Sequence, residues 1–273
     1  MKHGRSRMAM ALVVLAAVLM LLPLVWVLAL SFKPNAELMV STSSVLRAPY
    51  TLENYRTIMG QSAVFGWIAN SLIVSLGMTV GVLVLSSLAG YAFARLEFPG
   101  RRALFVFVLL GLAVPEQAVI LARHQMFSAL DIHNSYPALI LPHLAAPFGV
   151  FLMTQYFSAI PRELDEAALL DGASRFNIFW HVLLPLTIPA QATLGILTFV
   201  TGWNDYWWPL ISATRGDMFT LTVGIAASQM NFAQTEGLGF LMAQAVFASL
   251  PILIVYVFFQ KYIVQAVQGA AAR

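Results

Sequence analysis

Few residues in this chain can take part in polar chemistry, and those few are grouped. Of 273 residues, 60% are hydrophobic and 10% are charged, against about 25% charged in an ordinary soluble domain. Yet four of the twelve acids, Glu163, Asp165, Glu166 and Asp171, fall within nine residues of one another. Two ionisable residues interrupt apolar stretches, each directly behind a proline: Glu116 after Pro115 and His143 after Pro142. A third group, Trp203, Asn204, Asp205, Tyr206, Trp207 and Trp208, sets aromatic rings beside hydrogen-bonding side chains.

None of these groups suits covalent catalysis. There is no cysteine, hence no thiol nucleophile and no thiolate metal site. The G-x-x-x-x-G-K-[ST], H-E-x-x-H and G-x-S-x-G patterns are all missing. We therefore expect no enzyme active site, no metal site and no cofactor within this chain. The net charge of +3 comes from dispersed basic residues, which does not predict a nucleic-acid partner. What remains is recognition. An ionisable group at membrane depth costs roughly 2.5 to 3.5 kcal/mol on insertion scales, so such groups face a cavity or a partner. Glu116 and His143 therefore either line a solute pathway, helped by the bends their prolines impose, or are a protonated carboxyl and a neutral imidazole bonded between helices. The group from Trp203 to Tyr206 has two readings as well. A sugar needs a ring to stack on and donors and acceptors for its hydroxyls, but Trp and Tyr also form belts where helices leave a membrane.

The elements that hold these groups follow from hydropathy. A helix rising about 1.5 Å per residue needs about 20 apolar residues to cross about 30 Å of hydrocarbon. Six stretches qualify: 8–32, one within 64–94, 103–122, 136–157, 182–202 and 240–260. The first follows Lys2, Arg5 and Arg7, but its 25 residues exceed the roughly 7 to 15 of a signal-peptide core, so it reads as a retained helix. With both termini in the cytoplasm, ten Lys and Arg lie inside (Lys2, Arg5, Arg7, Arg95, Arg101, Arg102, Arg162, Arg175, Lys261, Arg273) and five outside (Lys33, Arg47, Arg56, Arg123, Arg215). The positive-inside rule selects that orientation. The expected organisation is an all-α, polytopic membrane protein: residues 1–63 a first helix and outer loop, 64–262 a five-helix core with a cytoplasmic loop at 160–182, and 263–273 a short cytoplasmic tail. Residues 218–235 are too polar for lipid and belong to the last outer loop. Gly77 and Gly81 have the G-x-x-x-G spacing that lets helices approach closely, within this chain or with a second subunit.

The acidic loop predicts a short helix of its own, of about three turns. It opens at Pro161, carries acids in its first turn where the helix dipole favours them, and ends near Gly172, a residue suited to a C-cap. So short a helix is marginal in water and needs something to pack on. Ala167 and Ala168 permit close approach, and Glu166 can reach a basic residue across a contact. Phe176, Ile178, Phe179 and Trp180 are too apolar for a free loop and belong at the lipid surface or in a docking groove.

This loop also carries a resemblance. Glu166-Ala167-Ala168, Gly172, Val182 and Leu184-Pro185 resemble the E-A-A-x3-G-x9-I-x-L-P signature of the membrane subunits of ABC importers, with Val in place of Ile. Ser31-Phe32-Lys33, Thr51 to Tyr55, Tyr91 to Arg95, Phe98-Pro99-Gly100, Trp203 to Tyr206, and Leu250-Pro251 with Gln260 are similar to the carbohydrate-uptake branch, in particular the smaller membrane subunit of maltose-type permeases. The resemblance implies a type I importer transmembrane architecture in a bacterial inner membrane. It also implies a second homologous permease subunit, two ATPase subunits that hold ATP and Mg, and an extracytoplasmic solute-binding protein. By the same resemblance Glu163, Asp165, Glu166, Ala167, Ala168, Asp171, Gly172, Phe176 and Pro185 belong to the ATPase-docking loop. Glu116, His143, Trp203, Asn204, Asp205 and Tyr206 are the candidate solute-pathway residues, although in that family the larger membrane subunit makes most solute contacts. The ending Gly269-Ala270-Ala271-Ala272-Arg273 lacks the family's lysine-containing tail, so no tail contact carries over. The alternative from another class is an ion-gradient-driven transporter working through Glu116.

Overall fold

The computed structural model describes residues 2–34, 47–232 and 237–271. Among these residues all regular structure is helical, as expected where no water is present to satisfy backbone N–H and C=O groups. In chain order the helices are α1 (Lys2–Ser31), α2 (Glu53–Gly60), α3 (Ser62–Arg95), α4 (Arg101–Leu110), α5 (Glu116–Ala129), α6 (Tyr136–Ile140), α7 (Pro147–Ala159), α8 (Glu163–Leu170), α9 (Arg175–Asn177), α10 (Leu184–Leu186), α11 (Ile188–Asn204), α12 (Trp207–Ser212), α13 (Leu221–Phe232) and α14 (Gly237–Ala271). A π-helical turn, Ile178–Leu183, joins α9 to α10.

Three of the expected spans are uninterrupted apolar helices, within α1, α3 and α14. The other three are broken: the third and fourth bend at the prolines that precede Glu116 and His143, as expected, and the fifth breaks as well. The stretch from Arg101 to Ala129 bends by 101° between Ala113 and Glu116, that from Tyr136 to Ala159 by 51° after His143, and that from Arg175 to Asn204 by 76° after Leu186. Each break has a proline beside it, at Pro115, at Pro142 and Pro147, and at Pro185 and Pro189. A proline lacks the N–H that would continue the ladder and crowds the preceding turn. At the third break other groups take up the freed carbonyl: the Thr187 hydroxyl and the Gln191 amide donate to Leu184 O at 2.8 and 2.9 Å. Six crossings result when each bent pair is counted as one. Residues 218–232 of the expected last loop begin at the end of a 3₁₀ turn, Gly216–Met218, and contain α13. The rest of that stretch, and 35–46 of the first loop, lie outside the described residues.

The chain divides into two compact units, Met1–Phe65 with Gly224–Pro251, and Gly66–Val223 with Ile252–Arg273. In the first, Asn54 at the start of α2 donates to Ser31 O and Lys33 O at 2.9 and 3.0 Å, tying α2 to the end of α1. The Tyr55 hydroxyl lies 2.6 Å from Ser31 Oγ. Lys33 is fully buried, its ammonium donating to Arg47 O and lying 4.6 Å from the Tyr50 ring centroid. The side chains of α1 before this junction are mostly exposed apolar groups, as on a helix that faces lipid.

The second unit has two apolar cores. One is built from Val82, Tyr91, Met153, Phe157, Ile178, Phe179, Leu183 and Leu194, so it joins α3, α7, the π turn and α11. The other joins α3, α5, α6 and α12 around Val74, Met78, Phe127, Leu139 and Trp208. Glycines allow α3 to approach its neighbours. A Cβ on Gly90 would stand 2.6 Å from Met153 Cβ and 2.9 Å from Thr154 N, and one on Gly77 would stand 2.7 Å from Ile140 Cδ1. Gly81 is similarly closed by Leu144. The G-x-x-x-G pair therefore serves packing within the chain.

Candidate functional site

The acidic loop forms the helix its residues predict, but a shorter one. α8 has eight residues, about two turns rather than the expected three. Its end is a Schellman arrangement: Gly172 has φ +81°, Gly172 N donates to Leu169 O and Ala173 N to Ala168 O, both at 3.0 Å, which satisfies carbonyls the helix itself leaves free. A positive φ of this kind is why glycine stands there. The Ser174 hydroxyl then accepts from Asn177 N and starts α9.

α8 has an outer and an inner side. Glu163, Glu166, Ala167, Leu169, Leu170 and the C-capping Asp171 are exposed, Leu170 at 90%. Ala168 packs on the first core. Asp165, which the sequence groups with the docking residues, instead points inward: Arg95 Nη1 lies 3.3 Å from its Oδ2, with side-chain exposures of 2% and 10%. The other guanidinium nitrogen, Nη2, donates to Ile160 O at 2.6 Å, and the Tyr91 hydroxyl donates to Arg175 O at 3.1 Å. The last turn of α3 thus holds the loop before, within and after α8. An open cavity of about 560 Å³ lies beside it, lined by Arg95, Glu97, Phe98, Arg162, Glu166 and Leu169 among others. The aromatic run divides as well. Ile178 and Phe179 are buried in the core, whereas Phe176 and Trp180 are exposed and stack on each other, centroids 6.4 Å apart and planes within 12°. Pro185 sits in the bend beyond the π turn rather than on α8.

The pathway candidates also separate. Three of them meet, although two come from different helix breaks and the third from the end of α11. Glu116 opens α5, His143 ends the 3₁₀ turn after α6, and Asp205 caps α11. His143 Nδ1 is 3.7 Å from Glu116 Oε1, and His143 Nε2 is 3.2 Å from Asp205 Oδ2 but off the angle of a hydrogen bond. Arg123 completes the group by donating to Glu116 Oε1 at 3.1 Å, its guanidinium carbon 5.1 Å from the Trp208 ring centroid. Sequence reasoning passed over Arg123, although its seven-residue spacing from Glu116 places both on one helix face. His143 also lines a cavity of about 230 Å³ that includes Thr198 and Thr201. The other pathway candidates do not join the cluster. Trp203 is buried at 1% exposure against Phe199. Asn204 donates to Val200 O on its own helix. Tyr206 packs edge-on against Trp207. Among the described residues no group of His, Asp and Glu has the geometry to hold a metal ion, the Glu116 cluster included.

A helical membrane protein with broken spans and a short, clamped helix between two of them has the build of a transport subunit. Residues 83–269 match the family "Binding-protein-dependent transport system inner membrane component", and the chain belongs to that family. Its relatives include the arabinooligosaccharides transport system permease protein AraQ of Halalkalibacterium halodurans, 35% identical over 89% of this chain and 87% of that protein. The diacetylchitobiose uptake system permease protein NgcG of Streptomyces coelicolor is 33% identical over 96% and 87%. The trehalose/maltose transport system permease protein MalG of Thermococcus litoralis is 32% identical over 95% and 94%. The fold matches a chain in the crystal structure of a bacterial ABC transporter involved in the import of the acidic polysaccharide alginate, with a TM-score of 0.84 and 21% identity over 94% of this chain and 95% of that one.

Proposed function

We propose that this chain is one of two permease subunits of an ATP-driven importer and forms half of the path for a carbohydrate handed over by an extracytoplasmic binding protein. The carbohydrate assignment is supported by relatives named for arabinooligosaccharides, diacetylchitobiose and trehalose/maltose. The observation that carries the reading is α8, whose back is fixed to α3 while Glu163, Glu166, Leu169 and Leu170 stand free. An exposed apolar pair rimmed by carboxylates suits a cleft that is apolar at its centre and basic at its edge. That cleft belongs to an ATPase subunit, which supplies ATP and Mg; the chain itself is a transport subunit without hydrolytic chemistry. Docking there puts α8, and with it both termini, on the cytoplasmic side.

In this reading, closure of the ATPase pair moves α8, and the helices attached to it turn the central path from inward-facing to outward-facing. The solute then meets the side of the chain that carries Glu116, Arg123, His143 and Asp205, whose donors and acceptors match sugar hydroxyls. The rival, an ion-gradient transporter working through Glu116, has no use for α8, and in it Glu116 would have to be free of Arg123. Glu166→Arg tests the assignment: we expect the chain to insert normally but to lose its ATPase subunits on co-purification. A complex that stays whole and transports an oligosaccharide at the wild-type rate would refute the docking role. Uptake into proteoliposomes that continues without ATP and stops when the proton gradient is collapsed would favour the rival.

A further inference from the structure

We propose that the Arg95–Asp165 pair is the mechanical link through which α8 drives the second span, so that Asp165 positions and pulls α3 and makes no contact with an ATPase. This rests on the docking reading given above. Both side chains are buried, at the wall of the open cavity that Glu97, Arg162 and Glu166 also line. Arg95 is the last residue of α3, the helix that supplies residues to both apolar cores of its unit. Its guanidinium is charged at any physiological pH. It has Asp165 Oδ2 at 3.3 Å as its ionic partner and Ile160 O at 2.6 Å as its acceptor.

Asp165 Oδ1 and Arg95 Nε are buried without a hydrogen bond, so each side chain relies on the ion pair for its compensation. Separating them would leave two buried charges unpaired, which is strongly unfavourable. Any displacement of α8 must therefore carry Arg95 with it. Tyr91, one turn earlier, repeats the attachment at Arg175 O beyond α8. Its ring packs on Phe157 and Phe179 at 5.9 and 5.1 Å, which extends the linkage to α7 and to the π turn. Two attachments on one helical face resist both sliding and rotation of α8 against α3. Gly90 allows this by admitting the backbone of α7 to the same turn. Glu166, by contrast, is exposed. On one short helix, Glu166 therefore meets the ATPase and Asp165 meets the lever.

The test separates docking from transmission in the assembled complex with its ATPases and loaded binding protein. Arg95→Met combined with Asp165→Leu replaces the ions with apolar groups of similar length, a change that leaves no orphan charge and preserves packing. We expect this double variant to insert and retain both ATPase subunits, while oligosaccharide uptake falls about tenfold or more, within the 5- to 150-fold range of allosteric couplings. ATP hydrolysis should no longer respond to the binding protein. The charge swap Arg95→Asp with Asp165→Arg should recover part of the uptake. Should the apolar pair fail to assemble, Arg95→Lys keeps the charge and removes the fork that reaches Asp165 and Ile160 together; it should assemble and transport several-fold more slowly. Wild-type uptake by either assembled variant would overturn the proposal, because the pair would then be structural only. Loss of the ATPase subunits from the assembled membrane chain of the double variant would overturn it too, because Asp165 would then be a docking residue. Failure of the docking reading itself shows separately, as retention of the ATPases by Glu166→Arg.

Discussion

Two charged groups among the described residues, one at α8 and one at the helix ends around His143, are built in opposite ways. Arg95 and Asp165 form one closed pair, buried on both sides. Glu116, Arg123, His143 and Asp205 form a shared network in which Glu116 is 47% exposed and His143 stands between two carboxylates. A buried pair is costly to separate, so it is suited to transmit displacement. An open network can exchange one contact for another, and a passing hydroxyl is a suitable replacement. Helix context differs in the same sense. The closed pair joins the end of an unbroken 34-residue helix to α8, whereas the open network collects residues from two proline breaks and from the C-terminal end of α11.

The contrast can be broken most sharply at the closed pair. Arg95→Met alone should leave Asp165 buried without its cation and cost about 3–5 kcal/mol, read as a fall in the thermal unfolding midpoint of the solubilised chain and as low yield. A loss as small as that of a surface pair would mean that water reaches the site. Gly90→Ala tests the same region without touching charge. The added methyl meets Met153 Cβ and the α7 backbone, and overpacking of this kind costs about 1–3 kcal/mol. Unchanged stability would show that α3 and α7 separate easily there.

Smaller effects are expected at the open network. Glu116→Gln removes a partly exposed ion pair worth about 0.2–1 kcal/mol, so stability should hardly move while oligosaccharide uptake declines. A stability loss as large as that of Arg95→Met would make the network a structural lock. The smallest effect on folding belongs to the exposed stack. Phe176→Ala should stay within about 0.5 kcal/mol of wild type, and a co-purification assay reports whether the Phe176–Trp180 surface belongs to the ATPase interface proposed for Glu166.

Several of these features could be read along the chain. Periodic hydropathy marks the spans, because crossing lipid demands about 20 apolar residues whatever the neighbours are. Glycine at 172 marks the end of α8, because only a residue without Cβ adopts φ +81° freely. Acids grouped within nine residues mark the loop that carries the candidate docking surface. Pro115 and Pro142 mark bends in the third and fourth spans, but the pattern could not show that the fifth breaks too, nor whether a proline bends a helix by 51° or by 101°, since composition only counts apolar residues.

Direction was equally hidden. Asp165 and Glu166 are adjacent acids with the same local signal, yet the turn of the helix sends one to Arg95, 70 positions earlier, and leaves the other exposed. Phe176 and Phe179 are both aromatic and only three residues apart, and one is exposed while the other is buried. Trp203 looked as fit for a sugar as its neighbours until packing on Phe199 covered it. The sequence by itself determined that the chain is a bundle of membrane helices with one short polar helix between spans, because hydropathy and local capping act over a few residues. Only the tertiary structure decided which acid points inward, which break meets which, and which partner each ion finds, because a buried charge is settled by groups that the chain brings together from far away.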